Sequence, residues 1–281
     1  MKNNIPTLIT LALAAFAAPV SATSCQVVSP ANTVALIELF TSEGCSSCPP
    51  ADQWLSTLKR GAGFDKLVPL SLHVNYWDYI GWKDPYADAQ FTERQRNYAR
   101  LRGTTTIYTP QVVLDGHDYP AWSGRSFDKT VQAINGKLAP IALNLKASAT
   151  AVKVSATAVA GAPASSSDAD AAKGGDLVDI NVTTTAVTTT LASARPLDDL
   201  KLFLAVFDNT LISKVTRGEN AGSTLSHDFV VRRFTGPLPV SAAATQRLAV
   251  AAAATTSQRG VAAFVQNARG EVLQATACLL Q

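Results

Sequence analysis

Seven residues, Gly44-Cys45-Ser46-Ser47-Cys48-Pro49-Pro50, constrain what this chain can fold into more than any others. They follow an apolar run, Val34–Phe40, that reads as a buried strand. They precede Ala51–Leu58, where Trp54, Leu55 and Leu58 recur at helical spacing. Two cysteines therefore sit at a strand-to-helix turn, and the prolines after the second suit a first helical turn. Free N–H groups at a helix start favour an anion. A Cys45 thiolate is stabilised there, and the thiolate is the form that attacks disulfides. The spacing also lets Cys48 reach Cys45 and close a small ring. A structural disulfide and half of a zinc site use the same two residues, and both readings stay open.

Four cysteines are spread over the 281 residues: Cys25, Cys45, Cys48 and Cys278. A composition of 47% hydrophobic and 16% charged residues is that of a globular protein, long enough for two domains. The net charge of +3 comes without a Lys/Arg cluster, so no nucleic-acid partner is implied. The amino terminus reads as an export signal over residues 1–22. Lys2 supplies the positive charge, Thr7–Ala18 is apolar but too short to span a bilayer, and Val20-Ser21-Ala22 offers small residues for cleavage. The expectation is a periplasmic or secreted protein with no membrane span after cleavage, in a compartment where disulfides persist.

The periodicity next predicts a strand over Leu67–Val74 and an aromatic-rich loop, Asn75–Pro85. A helix over Tyr86–Leu101 follows, with Arg94 among the charges of its solvated face. Gln111–Leu114 is a strand, Asp115-Gly116 a hairpin turn, His117–Trp122 the return strand and 126–138 a last helix. Glu38 lies inside the first strand, facing solvent or buried near the thiols, where a carboxylate can accept and return a proton. His73 ends the second strand. Tyr76, Trp77 and Trp82 either cover an apolar patch or form a substrate groove. Pro110 opens a strand, where a proline is tolerated and can be cis.

A strand, a Cys-x-x-Cys at a helix start and a Thr-Pro before a hairpin and last helix together resemble the thioredoxin fold. The resemblance implies that Pro110 is cis and faces Cys45 and Cys48. Three blocks, Glu38–Asp52, His73–Asp84 and Tyr108–Gly116, are more narrowly similar to the DUF1223 family, exported bacterial proteins of unknown function. Gly44 stands where thioredoxins commonly carry a tryptophan.

After Ala139-Pro140 the texture changes to short alternating strands: Ile141–Lys146, Ala151–Thr157, Leu177–Thr185, Lys201–Asp208, Leu225–Phe234, Gln246–Ala253, Val261–Asn267 and Glu271–Cys278. Residues 161–175 read as a loop. The expected fold class is thus an α/β thioredoxin-like domain over 33–139 followed by an all-β sandwich-like domain over 140–281. Arg217–Gly222 and His227–Arg232 are either an interface with the first domain or an ordinary loop and strand. Cys25 and Cys278 are candidates for a structural disulfide joining distant parts of the chain.

The leading functional expectation is a thiol–disulfide oxidoreductase acting on a protein client or small-molecule thiol. Cys45 is the attacking thiolate, Cys48 the resolving thiol, and Pro110 keeps a backbone edge open for substrate. Glu38, His73 and Trp77 are possible supporting residues, and no organic cofactor or metal is required. This reading needs Cys45 to be open to solvent. One rival is a copper chaperone or metal sensor using Cys45, Cys48 and His73. Another is a binding protein in which the cysteine pair only holds a turn.

Overall fold

The computed structural model describes residues 23–60, 63–152, 175–186, 199–240, 243–251 and 257–281. The export signal expected over 1–22, most of the strand expected over 151–157 and most of the loop expected over 161–175 lie outside them. Among the described residues the chain forms fourteen β-strands and three α-helices.

The first apolar run becomes β2 (Ala35–Thr41), buried at every position. It pairs in parallel with β3 (Leu67–His73), equally buried, with Thr41 beside His73 at their carboxyl ends. A fully buried run such as β3 needs a neighbour on each edge, because no water reaches its backbone groups. Its second neighbour is β11 (Val230–Pro239), which pairs with it in parallel at Val230 and Ser71. β11 continues antiparallel into β8 (Lys201–Asp208), β13 (Arg259–Gln266) and β14 (Val272–Leu279). On the other side, β2 pairs antiparallel with β4 (Gln111–Leu114), which pairs with the short β5 (His117–Asp118). The result is one eight-stranded mixed sheet in the order β14-β13-β8-β11-β3-β2-β4-β5.

This sheet overturns the expected fold class. The chain does not form an α/β thioredoxin-like domain followed by a separate all-β sandwich. It is mostly β, and strands from both sides of Pro140 belong to one sheet. Among the described residues, the elements named after Pro140 are all strands.

A second sheet, antiparallel throughout, orders β1 (Thr23–Val28), β6 (Ile141–Val152), β7 (Gly175–Ala186) and β12 (Ala243–Ala251). Its apolar face, including Leu143, Leu145, Ile180 and Val182, packs on Leu202, Leu204, Val206 and Val265 of the large sheet. The opposite face of β8 and β13 presents Phe203, Phe207 and Phe264 to the core that also holds Phe40 and Phe91. β9 (Leu211–Lys214) and β10 (Thr224–His227) form a separate ribbon. The expected strand Leu225–Phe234 is split between β10 and β11 at Asp228-Phe229, where Phe229 has φ +58°.

The helices are α1 (Pro49–Thr57), α2 (Ala89–Leu101) and α3 (Phe127–Asn135). α2 starts where Asp88 accepts the Gln90 N–H at 2.9 Å, a side-chain N-cap.

Cys25 and Cys278 are joined in a disulfide, with Cα atoms 6.0 Å apart. β1 and the chain beyond β14 meet there, and Ser24 N donates to Gln281 O at 3.0 Å. Replacing both cysteines with serine is expected to lower unfolding stability by about 4 kcal/mol, from the larger entropy of the uncrosslinked unfolded chain. Urea unfolding of the variant measures it.

Asp115 turns the β4–β5 hairpin with φ +48° and accepts the Leu36 N–H at 2.8 Å. Burial pushes its carboxyl up to about 7, against the pull of the Leu36 N–H and of Lys137. A carboxyl raised in the fold holds its proton more tightly there than in the unfolded chain. The stability this contributes is present at low pH and lost as pH rises through about 7. Asp115→Asn keeps the acceptor and tolerates the left-handed backbone. It is expected to remove this pH dependence, with its stability relative to the parent rising between about pH 4 and pH 7 in urea unfolding.

Candidate functional site

The carboxyl ends of β2 and β3 place Thr41 and His73 side by side, and the chain then turns through Ser42–Cys48 into α1. Successive turn hydrogen bonds tighten this segment: Cys45 N to Ser42 O at 3.2 Å and Cys48 N to Cys45 O at 3.1 Å. Pro49 and Pro50 open α1, as expected of residues that need no N–H donor there. Cys45 and Cys48 are joined in a disulfide with Cα atoms 5.4 Å apart. Among the described residues no cysteine is free.

Both sulfur-bearing residues are enclosed: Cys45 is 1% exposed and Cys48 0%. The open Cys45 that the sequence reading required is therefore absent from this arrangement. The cover is the connection between β9 and β10. Asn220 Nδ2 donates to Glu43 O at 2.8 Å and to Cys45 O at 3.0 Å. Ser46 N donates to Glu219 Oε2 at 3.0 Å. Hydrogen bonds from the Ser46 side chain and backbone hold the Glu219 carboxyl below its usual range. So Arg217–Gly222 is an interface with the cysteine turn, and His227, at the end of β10, enters the site as well.

Gly44 has a local reason. A Cβ there would lie 3.0 Å from Trp77 Cβ and 3.3 Å from Ile80 Cδ1. Trp77 in turn donates through Nε1 to Thr109 Oγ1 at 2.7 Å. It thereby ties the cysteine turn to the Thr109–Pro110 peptide, which is cis. Pro110 is half-buried.

Near the turn lies a set of buried ionisable groups. His73 Nδ1 and Asp84 Oδ2 are 2.7 Å apart. Asp84 also accepts the N–H groups of Glu43 at 2.8 Å and Tyr86 at 2.9 Å. Burial alone would raise the Asp84 carboxyl; the His73 imidazole and these N–H groups outweigh it and hold the group below its usual range. Burial would lower the His73 imidazole, but Asp84, helped by Asp52 and Glu43, raises it. The pair is thus favoured as an ion pair. Asp52 faces the other way: burial raises its carboxyl, and His227, His73 and the Thr41 hydroxyl only partly compensate.

Glu43 receives hydrogen bonds from two distant parts of the chain. Trp82 Nε1 donates to Oε2 at 2.8 Å, and His227 Nε2 is 3.2 Å from Oε1. The imidazoles of His73 and His227 stand edge to face with centroids 5.1 Å apart. His227 Nδ1 is 4.0 Å from Asp52 Oδ2. Three buried atoms of this set, Asp52 Oδ1, His73 Nε2 and His227 Nδ1, make no hydrogen bond to the described residues. Among the described residues no group of three or more His, Cys, Asp or Glu side chains is arranged to hold a metal ion.

Glu38 is elsewhere. It points under α2, where Arg94 and Tyr98 bind it; Arg94 Nη2 donates to Oε2 at 2.9 Å. Cys45, Cys48, His73 and Trp77 thus lie at or beside one turn, Thr109 next to Pro110 is bonded to Trp77, and Glu38 belongs to a separate ion pair. Sequence reasoning missed Glu43 and Asp52, while Asn220 and His227 lie in the stretches it left open as either an interface or an ordinary loop and strand. The available signal was the run Glu43–Asp52, whose two acidic residues flank the cysteines.

The family described as "Protein of unknown function (DUF1223)" matches residues 36–173 and 167–266. The chain belongs to this DUF1223 family. No curated protein matches it. Among solved structures, protein AGR_C_4864 from Agrobacterium tumefaciens is 24% identical. It aligns over 88% of this chain and 94% of its own, with a TM-score of 0.51. HBP35 of Porphyromonas gingivalis is 13% identical over 89% and 76%, also at 0.51. At such identities the likeness concerns the fold alone. What distinguishes this DUF1223 chain chemically must be read from its own turn and the buried groups around it.

Removing one partner of a buried ion pair leaves the other as an uncompensated charge, at about 3–5 kcal/mol. His73→Ala, which strands Asp84, is expected to lose that much in denaturant unfolding at neutral pH.

Proposed function

We propose that the protein is an exported thiol–disulfide oxidoreductase in which Cys45–Cys48 is the reactive disulfide and a protein or small-molecule thiol is the partner. The observation that carries this reading is the closed Cys45–Cys48 pair at the amino end of α1, next to a buried set of carboxylates and imidazoles. A client thiolate attacks one sulfur, the Cys45–Cys48 bond breaks, and the released thiolate is favoured by the helix start. A second client thiolate then resolves the mixed disulfide. The client dithiol is oxidised by two electrons, the pair is reduced, and two protons pass from the client to Cys45 and Cys48. Asp52, His73 and His227 supply buried groups able to hold those protons in transit. The apolar leader and the Cys25–Cys278 bond support a periplasmic or secreted setting.

With Cys45 covered, exchange requires the Arg217–Gly222 connection to leave the turn. Asn220 and Glu219 set that barrier. The same burial favours a second reading, a binding protein whose Cys45–Cys48 bond only pins the turn.

Direct measurements of thiol exchange decide. A Cys48→Ala variant is expected to trap a client in its disulfide form: Cys45 attacks the client disulfide, one client thiolate leaves, and the mixed disulfide persists because Cys48 is absent. Asn220→Ala is expected to be reduced by dithiothreitol about tenfold faster, as roughly 1.4 kcal/mol of lost hydrogen bonding would give. A potential below about −300 mV, no trapped client and no exchange with glutathione would mark a structural bridge.

A further inference from the structure

The Glu38–Arg94 pair lies at the base of a cavity of about 520 Å³, between α2 and the ends of β8, β11 and the β13–β14 turn. Its lining shares no residue with the cysteine turn. Arg94 is the buried floor. Its side chain is 8% exposed, and its Nε and Nη2 are used by Glu38, Tyr98 and Gln266. Nη1 makes no hydrogen bond to the described residues, although Arg94 lines the cavity. Four rings surround the guanidinium carbon: Phe203 at 4.7 Å, Phe234 and Tyr98 at 5.0 Å, and Phe264 at 5.2 Å. Such a cage fixes the guanidinium plane and leaves one edge to act as a donor.

The walls suit a ligand with an apolar body. Phe203 and Phe234 line them, and the β11 irregularity at Gly236 brings the strand against Phe203. A Cβ at Gly236 would lie 2.4 Å from Phe203 Cδ1, so only glycine permits this approach. The rim carries Arg100 and Lys201 against Glu93, with Asn97 between them on α2. The volume falls in the range of small-molecule sites, roughly 300–1,000 Å³.

We infer that this cavity binds a small organic carboxylate, its anionic end on Arg94 Nη1 and its apolar body against Phe203 and Phe234. Glu38 neutralises Arg94 from below and holds it in place, and the two N–H groups of Nη1 are left to a second carboxylate. Recognition is thus a charge-assisted hydrogen bond at the floor and apolar burial along the walls. This site is independent of the redox reading and stands if that reading fails.

The test is isothermal titration calorimetry of the disulfide-bonded protein with 2-naphthoate and its uncharged analogue 2-naphthamide. Naphthoate is expected to bind at one site, about tenfold or more tighter than the amide. Asn97→Trp, on the exposed rim, is expected to fill the cavity and weaken naphthoate at least about tenfold, with the circular dichroism spectrum unchanged. Arg94→Met would remove the preference for the anion. Should Arg94→Met not fold, Asn97→Trp alone carries the location. No saturable binding, equal affinity for acid and amide, or undiminished binding in Asn97→Trp each overturns the inference.

Discussion

Five ionisable side chains, Glu43, Asp52, His73, Asp84 and His227, are taken out of water at one place, and much of the architecture follows from having to satisfy them. Desolvating such groups is tolerable only when each finds a counter-charge or a hydrogen bond. Asp84 meets this demand within the first half of the chain, through His73 and the backbone N–H groups of Tyr86 and Glu43. Glu43 does not. Its partners are Trp82, thirty-nine residues later, and His227, a hundred and eighty-four later. The cysteine turn therefore cannot be completed by the first half of the chain. β10 must lie against α1, and β11 must pair with β3, before the buried charges are matched. The continuity of the eight-stranded sheet and the closure of the turn are two aspects of one requirement.

Other long-range polar contacts fasten the same seam. The Gln274 side chain accepts the N–H groups of Val34 and Ala275 and donates to the carbonyls of Pro30 and Asn32. One buried amide thus saturates the backbone where the segment before β2 meets β14. Gln266 plays a similar part at the other end of the large core, bonding Arg94, Tyr98 and Gly270. Both glutamines come from the last two strands, and both serve groups encoded far earlier. Buried polar groups of this kind are expensive to orphan, so they specify one pairing of the halves over its alternatives.

The sequence was legible where structure is local. The apolar runs of β2, β3, β4, β8 and β13, the three helices and the alternation of β7 could all be read from periodicity. The prolines at the start of α1 were legible for the same reason. What could not be read was which strand neighbours which. A buried strand looks the same whether its edge meets a helix, solvent or a strand from a hundred and fifty residues away, so β11 beside β3 left no local mark. β1 carries little sequence signal, because it alternates weakly beside a single neighbour. Glu38 shows a different failure. One carboxylate in a strand does not reveal its face, yet Arg94 and Tyr98, four apart on α2, share a face. That spacing carried the ion pair, and assigning Arg94 to the solvated side concealed it.

The bond between Cys25 and Cys278 has a topological meaning beyond stability. Between those two residues the polypeptide is a covalent ring, closed beside the Ser24–Gln281 backbone pairing. A single proteolytic nick anywhere on that ring linearises it without releasing a fragment. The nicked molecule keeps its mass and its connectivity until the bond is reduced. Breakage and dissociation are thereby separate events, and the second is under thiol control.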